Sequence, residues 1–403
     1  MKLLLVSIHY PPLKSSCAIQ MRDLAEQFLS EGHIPTVIVP DENIQTQWRK
    51  EELNGVNVYR LYAPKIIDIS FLRRAINETL LSFYMIKAFK KTDIDLNSYD
   101  GVIWYSPTIF FGAFIYYIKK ISKIKSYLIL RDIFPEWALD LGLLKKGLVY
   151  YAFKTVAHFQ YRIADTIGVQ TDSNLKYFSK WNYKNSSKKI EVLNNWLATG
   201  KKRKSTITIN QTKLKDKKIF IYIGNMGIAQ DMDIILHLAK LFNNNKKNVG
   251  FLFVGRGTEL ERLKNVAIKM QIKNIMFCEE IDPSELDDLL KQCHVGIVAL
   301  DPRHKSHNIP GKFLTYMQSG LPVLARINKN TDLEKIINIH NVGKAYSGSD
   351  IDKLYEHSTN LIESDSERLK MSRNCLDLSK KMFSSSSATK KILDTFLEEK
   401  IVS

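Results

Sequence analysis

Three short segments in the second half of this chain carry glycines at turns, two of them with a cation, in an order suited to holding an anion. Residues 302–324, PRHKSHNIPGKFLTYMQSGLPVL, run a polar loop through Asn308, Pro310 and Gly311 into a short amphipathic helix with Lys312 at its start. The helix stops at Ser319-Gly320, and Leu321-Pro322-Val323-Leu324 reads as the next buried strand. Backbone N–H groups and one cation at a helix N-terminus form a docking point for an anion such as a diphosphate. Tyr222-Ile223-Gly224-Asn225-Met226-Gly227 and Val254-Gly255-Arg256-Gly257 each end an apolar run and precede a helical pattern. Glycines at such strand-to-helix turns let the backbone approach a phosphate, with the helix dipole assisting. A single turn of this kind also occurs for packing alone. Two on neighbouring strands, with the loop at 308–312, belong at the carboxyl edge of one sheet, where open α/β sheets bind ligands. Arg256 and Lys312 are the candidate cations.

Other residue pairs invite a chemical reading and are weaker. Asp231-Met232-Asp233 has the spacing of a metal–nucleotide site, but at a helix start acidic residues are ordinary caps and dipole partners. His304 and His307 flank the loop beside Arg303 and Lys305, poor company for a cation, and no essential metal is expected. The first strand leads into HYPPLKSSCAIQ rather than a GxGxxG fingerprint, and no Walker A sequence is present, which disfavours NAD and ATP hydrolysis. In the first half, residues 130–142, LRDIFPEWALDLG, put Arg131 and Asp132 at the end of an apolar run before a Pro-containing aromatic loop. There Asp132 can orient or deprotonate an acceptor hydroxyl, or offset charge at a reacting carbon. The plainer reading is a helix cap with a surface arginine.

These residues need elements to hold them. Strands are expected at 2–8, 36–39, 56–61, 101–105, 127–130 and 166–170, with a helix over 18–32 ending at Gly32. The alternation restarts at 218: strands at 219–223, 250–254, 275–278 and 295–300, helices at 231–242, 258–270 and 283–292. Strand–helix alternation at this spacing argues for parallel doubly wound sheets. Having it twice argues for two Rossmann-like domains, 1–197 and 198–385, joined through the polar, basic stretch LATGKKRKSTITINQ. The tail from 352 to 400 is helical, and Ser384–Ser387 is read as a kink from which the last helix, in 386–403, returns to the first domain.

The chain has 403 residues, enough for two cores, with 45% hydrophobic and 25% charged residues and a formal charge of +17. That charge fits an anionic partner, whether nucleic acid, membrane face or phosphorylated substrate, or a lysine-rich compositional bias. Four cysteines at no metal-ligand spacing fit a reduced, cytoplasmic compartment. The start MKLLLVSIHYPP reads as a strand and a turn rather than a signal peptide, and no apolar run reaches the roughly 18–20 residues of a spanning helix. Residues 66–91 and 108–125 mix aromatic and aliphatic side chains with Arg73, Arg74, Lys87, Lys90, Lys91, Lys119, Lys120, Lys123 and Lys125. Such mixtures suit an anionic lipid surface or, as the plain alternative, core helices with solvated lysines.

Together these pieces resemble the retaining GT-B glycosyltransferases of family four over nearly the whole chain. Pro11-Pro12-Leu13-Lys14-Ser15-Ser16 matches the family's N-terminal Pro-Pro loop, with Ser15-Ser16 in place of a Gly-Gly pair. Arg131-Asp132-Ile133-Phe134-Pro135 matches the acceptor-domain motif, where many relatives place a histidine at the position of Arg131. Gly224-Asn225-Met226-Gly227 matches the phosphate turn, with Asn225 and Gln230 where an arginine and a lysine are usual. The step Ser319-Gly320-Leu321-Pro322-Val323 closes the donor helix, and His307 and Thr315 stand where the family has two glutamates. RDIFPEWALDLG, YIGNMGIAQ and NIPGKFLTYMQSGLPVLA look like the branch of bacterial O-antigen and capsule transferases of the N-acetyl-L-fucosaminyl type.

The resemblance implies two domains facing a cleft and transfer of a sugar from a UDP-sugar to a polyprenyl-diphosphate-linked saccharide. The nucleotide-sugar donor would be held by Ser15, Ser16, Gly224, Asn225, Gly227, Gln230, Gly255, Asn308, Pro310, Gly311 and Thr315. Asp132, Arg131, Lys312 and Arg256 would serve catalysis, with no cofactor besides the donor and with peripheral contact to the inner face of the cytoplasmic membrane. Two rivals stay open. A UDP-sugar 2-epimerase would share the fold but need acidic residues in the cleft. A basic nucleic-acid-binding protein would concentrate its lysines on one motif, whereas here they are spread over both halves.

Overall fold

Apolar runs alternating with amphipathic segments build two parallel sheets, each in its own unit of a computed structural model that describes residues 1–66, 69–140, 142–179, 188–301 and 308–402. One unit is Met1–Ala198 with Ser385–Ser403, the other Thr199–Ser384. Of the residues singled out above, Leu141, Arg303, His304, Lys305 and His307 lie outside the described residues.

The first unit runs β1 (Lys2–Val6), α1 (Ser16–Ser30), β2 (Ile34–Asp41), β3 (Trp48–Leu53), β4 (Val56–Tyr62), α2 (Phe71–Phe89), β5 (Gly101–Ser106) and α3 (Gly112–Ser122). It continues through β6 (Lys125–Leu130), α4 (Glu136–Asp140), α5 (Leu148–Ile163), β7 (Thr166–Val169), α6 (Asp172–Ser179) and β8 (Lys189–Val192). The strand order is β3-β4-β2-β1-β5-β6-β7-β8, with β3 antiparallel to β4 and the other pairs parallel. Leu3, Leu4 and Leu5 are all fully buried, as expected of a central strand covered on both faces. Because β2 and β5 leave β1 on opposite sides, the carboxyl ends of β1 and β5 flank a topological switch point.

The second unit runs β9 (Lys218–Ile223), α7 (Asp233–Asn244), β10 (Val249–Val254), α8 (Leu260–Lys269), β11 (Ile275–Cys278), α9 (Leu286–Lys291) and β12 (Val295–Ala299). Then come α10 (Gly311–Gln318), β13 (Val323–Arg326), α11 (Asp332–His340), β14 (Gly343–Tyr346), α12 (Ile351–Glu363) and α13 (Asp365–Met382). Its order, β11-β10-β9-β12-β13-β14, is parallel throughout and puts the switch point between β9 and β12. Tyr316 of α10 locks that point: its hydroxyl accepts from the Ile223 N–H (3.1 Å) and lies 3.2 Å from the carbonyls of Ile221 and Ile297. Its ring occupies the space a side chain at Gly296 would need.

The tail departs from the expected single interruption. Ser364 ends α12 and caps α13 by accepting from the Glu367 N–H, so a second break precedes the one at Ser384. The last helix, α14 (Ser385–Val402), packs on the first unit. Ser385 Oγ donates to Gln27 (2.9 Å), Thr389 Oγ1 to Glu31 (3.1 Å), and the Phe396 ring lies against Gly101 and Tyr127. Truncating Phe396, which is 3% exposed, to alanine is expected to remove about 3–5 kcal/mol from the first unit in urea unfolding. A loss below about 1 kcal/mol would show that α14 is not part of that core.

Candidate functional site

In the second unit the carboxyl ends of β9 and β10 meet the start of α10. Lys312 reaches across so that its Nζ stands 3.6 Å from the centroid of the Tyr222 ring. It lies about one atom contact (4.0 Å) from where a Cβ on Gly224 would be. Among the described residues no carboxylate lies within ion-pair distance of this ammonium. Desolvation pulls its pKa down to about 7. The N-cap of α10 is Pro310, which offers no side-chain cap to the first turn. A half-buried cation short of counter-charge therefore sits beside an uncapped helix N-terminus, an arrangement that favours an incoming anion.

The glycines work differently from the expectation. Gly224 N–H donates to Val254 O (2.9 Å), Gly255 N–H to Cys278 O (3.1 Å), and Gly227 N–H to Gln230 Oε1 (2.9 Å). Those amides brace the strand ends, so the glycines would serve a ligand by the close approach they allow rather than by their N–H groups. Glycine is needed at 255 and 257 because φ is +148° and +151°. A Cβ at either position would also fall 2.1 Å from a backbone oxygen, that of Gly224 or Met226. Gly224, exposed beside Lys312, still borders the anion site.

The neighbouring polar groups are also engaged. Asn225 Nδ2 reaches Gln230 Oε1 at 3.4 Å, and its carbonyl accepts from the Tyr222 hydroxyl. Thr315 Oγ1 donates back to Gly311 O (3.3 Å), and Asn308 has a polar partner as well. Arg256 is 81% exposed and pairs with Glu280 at 3.2 Å, so its charge is partly offset. Neither aspartate of the Asp231-Met232-Asp233 triplet acts as a side-chain cap. Asp231 binds the buried Arg326 (2.8 Å), and Asp233 takes both guanidinium nitrogens of Arg262 (2.9 and 3.0 Å). Tyr222, Arg326 and Glu280 were missed from the sequence. Nothing in their local spacing marks them, since their partners are 90 or so residues away or on adjacent strands.

In the first unit Arg131 is not a group that faces substrate. Its side chain is buried, donates to the carbonyls of Leu193 (2.5 Å) and Asn194 (3.4 Å), and stacks 4.9 Å from the Trp196 ring. Burial lowers its pKa. The expected catalytic role for Arg131 is corrected to a strap joining the ends of β6 and β8. Asp132, one residue on, lines a cavity of about 450 Å³ at the switch point, together with Ile8, His9, Thr108 and Phe110.

His9 is the group that sequence reading overlooked. It follows β1, and its Nδ1 shares a 3.0 Å hydrogen bond with Ser15 Oγ, which also caps α1 by accepting from the Ala18 N–H (3.2 Å). Its Nε2 is buried with no hydrogen-bond partner, and burial lowers its pKa, keeping the ring neutral at pH 7. Ser15 thus orients His9, while Ser16 stands exposed in the first turn of α1. The signal that could have found His9 was its place directly at a strand's carboxyl end, ahead of the Pro11-Pro12 turn.

Residues 204–376, almost the whole of the second unit, match the family model of glycosyl transferases group 1. The chain is 26% identical to the probable glycosyltransferase WbjE of Pseudomonas aeruginosa over 224 residues, which span 54% of this chain and only 55% of that protein. It is 24% identical to the putative colanic acid biosynthesis glycosyl transferase WcaI of Escherichia coli K12 over 325 residues, 74% of this chain and 76% of that one. Its fold matches that of HepE from Anabaena, solved in complex with UDP and glucose, with a TM-score of 0.65 at 13% identity over 99% of this chain and 100% of the other. The two-domain α/β architecture is the GT-B type. Among the described residues no helix of the chain is long and apolar enough to cross a membrane. The epimerase alternative is not favoured.

Proposed function

We propose that this protein transfers a sugar, an N-acetylated hexosamine such as N-acetyl-L-fucosamine, from a UDP-sugar to a polyprenyl-diphosphate-linked saccharide in O-antigen or capsule synthesis. The observation that carries the reading is the desolvated Lys312 ammonium at the uncapped start of α10, beside Gly224. As the bond between sugar and diphosphate breaks, charge builds on the departing UDP. A preorganised cation and helix dipole stabilise that charge more than they stabilise the bound substrate. In the first unit Asp132 and the neutral His9 face a cavity where an acceptor hydroxyl can be oriented and relieved of its proton. UDP as the nucleotide is supported by HepE, a structural neighbour solved with it, and a surface-polysaccharide role by the name of WcaI.

The site needs no metal in this reading, since both aspartates of the triplet are held by arginines. The protein acts in the cytoplasm on the inner face of the membrane. Ile76, Leu80 and Phe83 of α2 and Tyr116 and Ile121 of α3 are exposed near the lysines noted above, which supports contact with anionic lipid. A screen of nucleotide-sugars by melting temperature tests the donor. UDP-sugars are expected to raise it by several degrees, on the order of the 1–3 kcal/mol that a ligand at about 10–100 times its Kd supplies. Manganese should add nothing. Failure of every UDP-sugar would remove the reading, and a strict manganese requirement would restore Asp231 and Asp233 as metal ligands.

A further inference from the structure

The carboxyl edge of the first unit's sheet holds two cavities, one more apolar than the other, and the residues they share lie beside the reacting groups. One, of about 450 Å³, has Phe110, Phe134, Trp137, Leu144 and Phe153 in its wall, together with Arg74 and Glu78, which neutralise each other as an ion pair at 2.9 Å. The other, of about 360 Å³, is bordered by Asp41, Glu42, Asn43, Arg49 and Arg60. Ile8, His9 and Ile66 line both. The apolar chamber opens past Leu143, 71% exposed, and Trp137, 42% exposed. Next in the chain come Lys145 and Lys146, then Leu148, Val149 and Tyr151, which stand exposed in the first turn of α5. A rim of solvent-facing apolar side chains interrupted by cations suits the face of an anionic lipid layer.

We infer that the apolar chamber binds the hydrocarbon chain of a lipid-borne acceptor. The acceptor's glycan would then extend past His9 towards the polar chamber. A sugar ring could stack on one of these rings and pair with Asp132 or Thr108, but the wall made by Ile66, Ile109, Phe110, Leu144 and Phe153 offers apolar contact that only a hydrocarbon chain can use in full. A chain with a hydroxylated head meets both chambers. The orphan His9 Nε2 then marks the junction, where the head's first polar groups would pass Asp132. This inference rests on the sugar-transfer reading for the identity of the reaction, but not for the affinity of the chamber.

The test uses the full chain in detergent-free buffer with isopentenyl, geranyl and farnesyl monophosphate as probes, inorganic phosphate as the control, and UDP as an independent ligand of the second unit. Affinity is expected to rise by about tenfold or more from the five-carbon to the fifteen-carbon chain, as apolar burial grows. Leu144→Asp should lower farnesyl monophosphate affinity by about tenfold or more. Leu143→Asp, at a position too exposed to affect folding, should lower it severalfold. Equal affinity for all chain lengths, or wild-type binding by both variants, overturns the chamber. If the isoprenoid probes fail while UDP still raises the melting temperature, the chamber falls and the sugar-transfer reading stands. If neither binds, both fall.

Discussion

Lys312→Met is expected to weaken UDP binding by one to two orders of magnitude, the roughly 1.5–3 kcal/mol of a charge-assisted contact. Methionine keeps much of the stem over Tyr222 and removes only the charge. The pH dependence separates this from a packing effect. The free protein's Lys312 titrates near 7 because it is desolvated, whereas an unfolded lysine titrates near 10.5. A bound diphosphate favours the ammonium, so above about pH 7 binding must take up a proton, and wild-type affinity falls as pH rises. The variant should lack that slope. Stability moves the other way: between about pH 7 and 10.5 the unfolded chain holds the proton that the folded one has released, so this residue's contribution to stability rises with pH. The variant should therefore gain on wild type most at and below pH 7. Calorimetric titration with UDP at about pH 7 and about pH 9, with melts at both, checks the pair. Equal UDP affinity in both proteins, or a pH-independent wild type, would show that Lys312 is not the diphosphate's partner.

Gly255→Ala is expected to be the most damaging small substitution in the second unit. Its Cβ would lie 2.1 Å from Gly224 O at a φ of +148°, and that oxygen belongs to the backbone, which cannot rotate away as a side chain could. The turn must open, breaking the Gly224–Val254 and Gly255–Cys278 hydrogen bonds and moving Gly224 relative to Lys312. A cost above about 3 kcal/mol and loss of the UDP response are expected. Gly311→Ala is the contrast, since a Cβ there meets nothing within 4 Å and the backbone is unstrained. Its melting temperature should stay within about a degree or two of wild type, as for ordinary substitutions. Equal melting temperatures for the two variants would mean that the contact between the turns does not hold the site.

The periodicity of apolar runs revealed the parallel strands well because strands covered on both faces need unbroken apolar sequence, as in Leu3–Leu5 and Phe251–Val254. It missed β3, β8 and β14, whose side chains are mostly charged or half-buried, because edge strands bury too little to leave that signature. Lys312 was legible from its place at a helix start. Arg131 was misread because a charged residue at a strand end looks the same whether it faces solvent or, as here, Leu193 and Trp196 some 60 residues away. The glycine turns were legible from their place at strand ends, but the contact between them was not: their φ values also let one strand end pack on another. His9 escaped because a lone histidine has no spacing to read, and only the buried, partnerless Nε2 distinguishes it.

The return of α14 to the first unit has a consequence during synthesis. A chain leaving the ribosome completes Thr199–Ser384 before the helix that finishes Met1–Ala198 has been made. The earlier-born unit must wait with the surface around Gly101 and Tyr127 uncovered, although most multidomain chains finish their N-terminal domain first. Ile392 and Phe396, both buried in the finished molecule, are the residues that end this wait. A nascent chain stalled before Ser385 would carry a complete second unit while its first unit stayed open to chaperones and proteases.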